Sequence, residues 1–239
     1  MKFLKKHIKI LVLIFTCLLI YLIYNKNNIN NITYLSLGDE YAMGINSYGV
    51  KDYGYNDYLK DYLEKNNKLH KYYNNFSYKE IRINDLYKDI LINEENSDGE
   101  NLKKALRDSN LLTISIGLND LIYRTSINNK LSNYQQEKII SDIKKDYKKL
   151  LTEIRKYYKY DIYIIGYNNF YPQNTVERKM LNELNLAIKE LSTEKNINFI
   201  EIDNLFNKNS GYLENPDSNF PNTSGYKQIY NKIIEKITL

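Results

Sequence analysis

The order of apolar runs and amphipathic stretches predicts an α/β fold, a three-layer α/β/α sandwich around a mainly parallel sheet of about five strands. Two observations carry this. From residue 32 onward, short strand-like runs alternate with segments of helical spacing. The helical stretches are long enough to serve as right-handed crossovers, which makes the strands parallel and covers both faces of the sheet.

Residues 32–37, apolar and ending before Gly38, read as the first, central strand. Tyr58, Leu59, Tyr62 and Leu63 have helical spacing within residues 56–67. Residues 72–76 are a candidate second strand. Leu86, Ile90 and Leu91 mark a helix over 84–92, and Ser97 or Asp98 offers a cap for another running to Arg107. Residues 111–116 form the clearest buried strand, apolar at Leu111, Leu112, Ile114 and Ile116. A long helix over about 132–158 follows, then a strand at 161–166, a helix at 175–195, a strand at 198–202 and a closing helix at 224–237. No internal repeat appears, and no linker divides residues 32–239.

The N-terminus has a different character. Residues 1–9 carry Lys2, Lys5, Lys6 and Lys9 and read as a cytoplasmic basic tail. Residues 10–24 are apolar without interruption, with Tyr21 and Tyr24 suited to the far interface, and read as a transmembrane signal anchor. The run is shorter than the ~20 residues of a comfortable span, but Ile8 extends it and Lys9 can snorkel. A cleaved signal peptide would need small residues near the end of the run, and Leu22-Ile23-Tyr24-Asn25-Lys26 has none. Ile14-Phe15-Thr16-Cys17 is a poor lipobox, which leaves Cys17 as a lipid-facing or packed thiol. Residues 25–31 form a polar, Asn-rich tether, and the charge asymmetry places the domain at 32–239 outside the cell membrane.

Composition narrows the chemistry. The single cysteine excludes an intrachain disulfide and a multi-cysteine zinc site. The net charge of +5 comes from 34 basic and 29 acidic residues mixed along the chain, with no basic block in the folded part, so nucleic acid is not an expected partner. The 25 tyrosines match the bias of an AT-rich genome better than an aromatic binding platform. No cofactor motif is present. Asp39, Glu40, Asp120 and Asp217 could share a divalent cation in principle, but they lack a recognisable ligand spacing.

In a parallel sheet, ligands bind beyond the carboxyl ends of the strands. Gly38-Asp39-Glu40 follows the first strand and Gly117-Leu118-Asn119-Asp120 follows the middle one, so both reach one rim. Pro216-Asp217-Ser218-Asn219-Phe220-Pro221 lies in a loop before the last helix, able to fold over that rim. In this order the three segments resemble the SGNH (GDSL) hydrolases. That family has Gly-Asp-Ser after the first strand, Gly-x-Asn-Asp after a middle strand and a late Asp-x-x-His. The resemblance covers residues 32–239 and implies a flavodoxin-like fold and ester hydrolysis by a Ser-His-Asp triad.

Carried over residue by residue, the pattern is degenerate. Asn119 matches the oxyanion asparagine and Asp217 the triad acid. Glu40 stands at the nucleophile position and Phe220 at the histidine position. The glycine whose N–H would complete the oxyanion hole is missing from residues 74–85. Of the two histidines, His7 lies on the cytoplasmic side and His70 reads as a solvated helix end. Ser36 and Ser115 lie within strands and point into packing, and Ser218 is exposed with no evident base. Asp39 and Asp120 read as turn and cap residues.

Glu40 as a nucleophile would form a mixed anhydride with no histidine to resolve it, and glycoside chemistry would want a second carboxyl as acid. The alternative places Glu40, as an ionised group, in or beside the oxyanion hole. There, outward N–H groups of the loop after the first strand, with Asn119, would hold it and block substrate carbonyls. The expected function is a membrane-anchored extracytoplasmic protein of this fold without hydrolysis, acting as a binding or scaffold module. Its partner would be a cell-envelope glycan, an acylated polymer or a protein. The alternatives are an active esterase with an unrecognised nucleophile and a carboxylate enzyme acting on glycans.

Overall fold

The computed structural model describes residues 9, 12–20, 32–126, 130–208, 210–215, 218 and 220–237. The chain separates into two units, one comprising residues 1–31 with Leu239 and the other residues 32–238. In the first, residues 12–20 are helical, and Val12, Leu13, Ile14, Phe15, Leu18, Leu19 and Ile20 are exposed. Cys17 is a free, exposed thiol on this helix. Among the described residues no helix is long and apolar enough to cross a membrane. Most of the basic tail, both ends of the apolar run at 10–24 and the whole tether lie outside the described residues.

The second unit is built on five strands, β1 (Ile32–Gly38), β2 (Leu69–Ser77), β3 (Leu111–Ser115), β4 (Ile162–Ile165) and β5 (Ile197–Ile200). All are parallel, in the order β2-β1-β3-β4-β5. The three inner strands are buried along their whole length, which is why they read as unbroken apolar runs. β2 is an edge strand with only Tyr73 fully buried, and its Lys, His and Asn content suits an edge facing solvent. It runs from Leu69 to Ser77, longer than the stretch 72–76 legible in the sequence.

Nine helices are seen among the described residues of this unit: α1 (Glu40–Met43), α2 (Tyr55–Lys65), α3 (Ile83–Ile92), α4 (Leu102–Asp108), α5 (Leu118–Ser126), α6 (Asn133–Arg155), α7 (Val176–Leu191), α8 (Asp203–Lys208) and α9 (Thr223–Ile234). One 3-10 turn, Ser210–Tyr212, precedes the last. α3, α5, α6 and α7 pack together on one side of the sheet, and α2 pairs with α9 on the other. Side-chain caps fix several starts: Ser132 with Gln135 for α6, Thr175 for α7 and Asn222 for α9. α4 is capped by Asn101, not by Ser97 or Asp98. The backbone N–H groups of Asp98 and Glu100 instead bond to the Asn96 side chain in the preceding turn. His70 is not at a helix end, since α2 stops at Lys65 and His70 belongs to β2.

Two glycines with left-handed backbones position the site. α5 starts directly after β3, where Gly117 turns the chain at φ 119°. β1 ends at Gly38, φ 126°, because the β3 backbone leaves no room for a side chain: a Cβ there would lie 1.8 Å from Ser115 O.

Candidate active site

In this strand order the chain reverses its winding direction between β1 and β3, and the crevice beyond their carboxyl ends is where such sheets bind ligands. Asp39 and Glu40 leave β1 into that crevice. Asp39 N–H donates to Ser115 O at 2.8 Å, pinning the turn to β3. The Asp39 side chain, 1 % exposed, caps α1 by accepting from Tyr41 N–H at 3.1 Å. It also accepts from the Ser115 hydroxyl and the Tyr167 hydroxyl, each at 2.6 Å. Burial pushes its carboxyl up to about 7, against the pull of those hydroxyls and aided by the Glu40 charge beside it.

Glu40 opens α1 and is 8 % exposed. One carboxylate oxygen accepts from Glu80 N–H at 2.7 Å, and the other accepts from Asn119 Nδ2 at 2.9 Å. The same amide reaches Ile81 O at 3.2 Å. The next residue, Asp120, accepts from Ile83 N–H at 2.9 Å, so the Asn-Asp pair holds the entry to α3 at two points. Burial raises the Asp120 carboxyl to about 6, opposed by the Ile83 N–H and the Arg124 charge.

Of the expected donors Asn119 is in place, while the loop after β1 is not the source of the other. The first turn of α1 spends Tyr41 N–H on Asp39, and the groups that grip Glu40 come from two other segments. One of them, Glu80, lies at φ 60°, a left-handed backbone that favours glycine. Its N–H points into the crevice, where Glu40 accepts it.

Phe220 is brought to the same rim. Its ring lies 6.0 Å from that of Tyr41, which also packs edge-on against Tyr167 at 5.2 Å. Phe220 O accepts from Ser47 Oγ at 2.8 Å, and its N–H donates to Ser218 Oγ at 3.2 Å. Phe220 is thus a packing residue. Asp217 lies outside the described residues.

The other hydroxyls and imidazoles are placed as follows. Ser36 is fully buried, and Ser115 Oγ is committed to Asp39. Ser218 is half-buried. The register pairs Ile32 with Leu69 and Gly38 with Ser77, so His70 sits at the opposite end of the sheet from Glu40, about 20 Å along the strand. His7 lies outside the described residues. Sequence reasoning missed Tyr167 and Glu80. Tyr167 could have been found, since it follows β4 at the same rim; nothing in the residues near 80 announces the second.

The profile of the GDSL-like lipase/acylhydrolase family matches residues 36–228. The uncharacterized protein YpmR of Bacillus subtilis (strain 168) is 26 % identical over 151 residues, and the match spans 57 % of each chain. Among solved structures, a lipase from a goat rumen metagenome aligns with a TM-score of 0.70 and 20 % identity, covering 86 % of this chain and 97 % of that one. A catalytic mutant of an acetylxylan esterase from Geobacillus stearothermophilus aligns with a TM-score of 0.65 and 16 % identity, over 88 % and 95 % of the two chains. The sheet order, the paired turns after β1 and β3, and a profile spanning most of the domain agree, and the chain belongs to the GDSL-like lipase/acylhydrolase family.

Proposed function

We propose that this chain is a membrane-anchored, extracytoplasmic member of its family that no longer hydrolyses esters and serves as a binding or scaffold module at the cell envelope. One observation carries the loss of hydrolysis: both oxygens of Glu40 occupy the donors, Glu80 N–H and Asn119 Nδ2, that would stabilise an oxyanion. A substrate carbonyl approaching these donors meets a carboxylate already bound. No hydroxyl stands at position 40, and position 220 offers a benzene ring instead of a base. The anchored reading is supported by the apolar side chains exposed along residues 12–20 and by the lysines of residues 1–9.

The test uses the full chain in detergent micelles, assayed for short-chain ester hydrolysis and for labelling by a fluorophosphonate probe. The native protein is expected to show neither. The double substitution Glu40→Ser with Phe220→His is expected to gain labelling and turnover, since it restores a nucleophile and a base while vacating both donors. Labelling of the native chain would overturn the inactive reading and support an esterase with an unrecognised nucleophile.

A further inference from the structure

The amino ends of the five strands lie opposite Glu40 and Asn119, and this foot of the domain carries a surface that the site does not use. α3 ends there in Leu91 and Ile92, 46 % and 62 % exposed. The turn between α4 and β3 is tied to the start of β1: Asn110 N–H donates to Thr33 O at 3.1 Å, and Thr33 N–H donates to Asn110 Oδ1 at 2.9 Å. α6 ends there too, where the Arg155 guanidinium donates to Tyr160 O and Asn196 O.

Three cations from two helices lie on aromatic rings near these ends. Lys103 and Arg107 of α4 each lie 5.7 Å from the centre of the Tyr157 ring, and Lys103 Nζ donates to Leu91 O at 3.2 Å. Lys149 of α6 lies 4.1 Å over the Tyr87 ring of α3. The nearby carboxylates Asp108 and Glu153 are taken by Lys104 and Lys156, while Glu94 and Glu95 follow Ile92 in the next turn. Lys103, Arg107 and Lys149 make no ion pair among the described residues. A cation seated on a ring keeps its charge available, and an exposed aliphatic pair beside such cations has the chemistry of a phospholipid interface. No run of basic residues announces this surface, because the fold assembles it from three helices.

We infer that the foot of the domain docks on an anionic phospholipid bilayer, with Lys103, Arg107 and Lys149 over lipid phosphates and Leu91 and Ile92 at the acyl boundary. The inference rests on the anchored reading for its orientation, since the chain enters the domain at this same end through Ile32. Docking in this way turns the Glu40 rim away from the bilayer.

The experiment uses the full chain with Cys17→Ser, carrying an environment-sensitive fluorophore at Ile92→Cys or, as a control at the other end, at Tyr48→Cys. Vesicles of phosphatidylcholine alone are compared with vesicles containing phosphatidylglycerol, and lipids with quenchers on their acyl chains report depth. The anchored chain is expected to float with both. Quenching at position 92 is expected only with phosphatidylglycerol, with none at position 48. Charge reversal at Lys103, Arg107 and Lys149 should reduce it at least about tenfold while flotation persists. High salt applied to the unmodified surface should do the same, which covers the case of a variant that fails to fold. Flotation with both vesicles but no quenching at 92, or equal quenching at 48, overturns the docking and leaves the anchor standing. Flotation only with phosphatidylglycerol, lost on charge reversal, overturns the anchor and keeps the docking. Flotation with neither overturns both.

Discussion

Glu40 accepts a hydrogen bond from Asn119 Nδ2 at 2.9 Å, and this contact ties the turn after β1 to the first turn of α5. Replacing Asn119 with Ala leaves one oxygen of a carboxylate that is only 8 % exposed without its donor. The expected loss is about 1–3 kcal/mol, read as a lower urea midpoint. Adding Glu40→Ala to that variant should recover part of the loss, because no carboxylate then remains to be satisfied. Strict additivity of the two substitutions would show that the contact contributes nothing to the fold.

Glu80→Gly is expected to stabilise the domain by about 1 kcal/mol. A left-handed backbone at φ 60° is costly for a residue with a Cβ, and glycine adopts it freely, although glycine also gives up more entropy on folding. Its N–H still reaches Glu40. Thermal unfolding of the two proteins decides the sign.

Stability should fall as pH rises from about 4 to about 7. Burial lifts Asp39 from the ordinary 3.8 to about 7 and Asp120 from 3.8 to about 6, so in that window the folded chain holds protons that the unfolded chain has released. The contribution is complete below the unfolded value and is lost as pH passes the folded one. Asp39→Asn should flatten the upper part of this decline, and Asp120→Asn the lower part, whatever each does to the absolute midpoint. A wild-type profile that rises across the window would contradict the assignment.

Gly38→Ala is expected to prevent stable folding. Its Cβ would lie 1.8 Å from Ser115 O, a backbone atom that cannot move without breaking the β1–β3 pairing, and the residue sits at φ 126°. The penalty should exceed about 4 kcal/mol, seen as loss of a cooperative unfolding transition. Gly49→Ala in the exposed turn after α1 is the control: among the described residues nothing beyond its chain neighbours comes within 4 Å of a Cβ there, so only the backbone cost at φ 72° remains.

The sheet was legible where burial forces a pattern. β1, β3 and β4 are covered on both faces and read as apolar runs, and the spacing between them set the crossovers. β2 was harder because an edge strand needs few apolar residues, and residues 69–71 carry the same Leu, His and Lys mixture as a helix end. α5 does not announce itself, because its start, Leu118-Asn119-Asp120, is also the motif at the rim. At the site, Glu40 and Asn119 could be paired from sequence because both follow strands at one rim. The contribution of Glu80 could not, since a backbone N–H carries no residue signature and a glutamate in a left-handed turn is uncommon. Tyr167 and Ser115 around Asp39 depend on how β3 and β4 present their ends, which only the assembled sheet fixes.

The grip of Glu80 and Asn119 on Glu40 has a consequence for anything that would compete for the same place. A group built into the polypeptide one residue from a fixed strand end meets its donors without the loss of translational and rotational freedom that a dissolved acid must undergo. Acetate, citrate or a released fatty acid therefore competes for these donors at a disadvantage. Occupancy of this crevice is written into the gene.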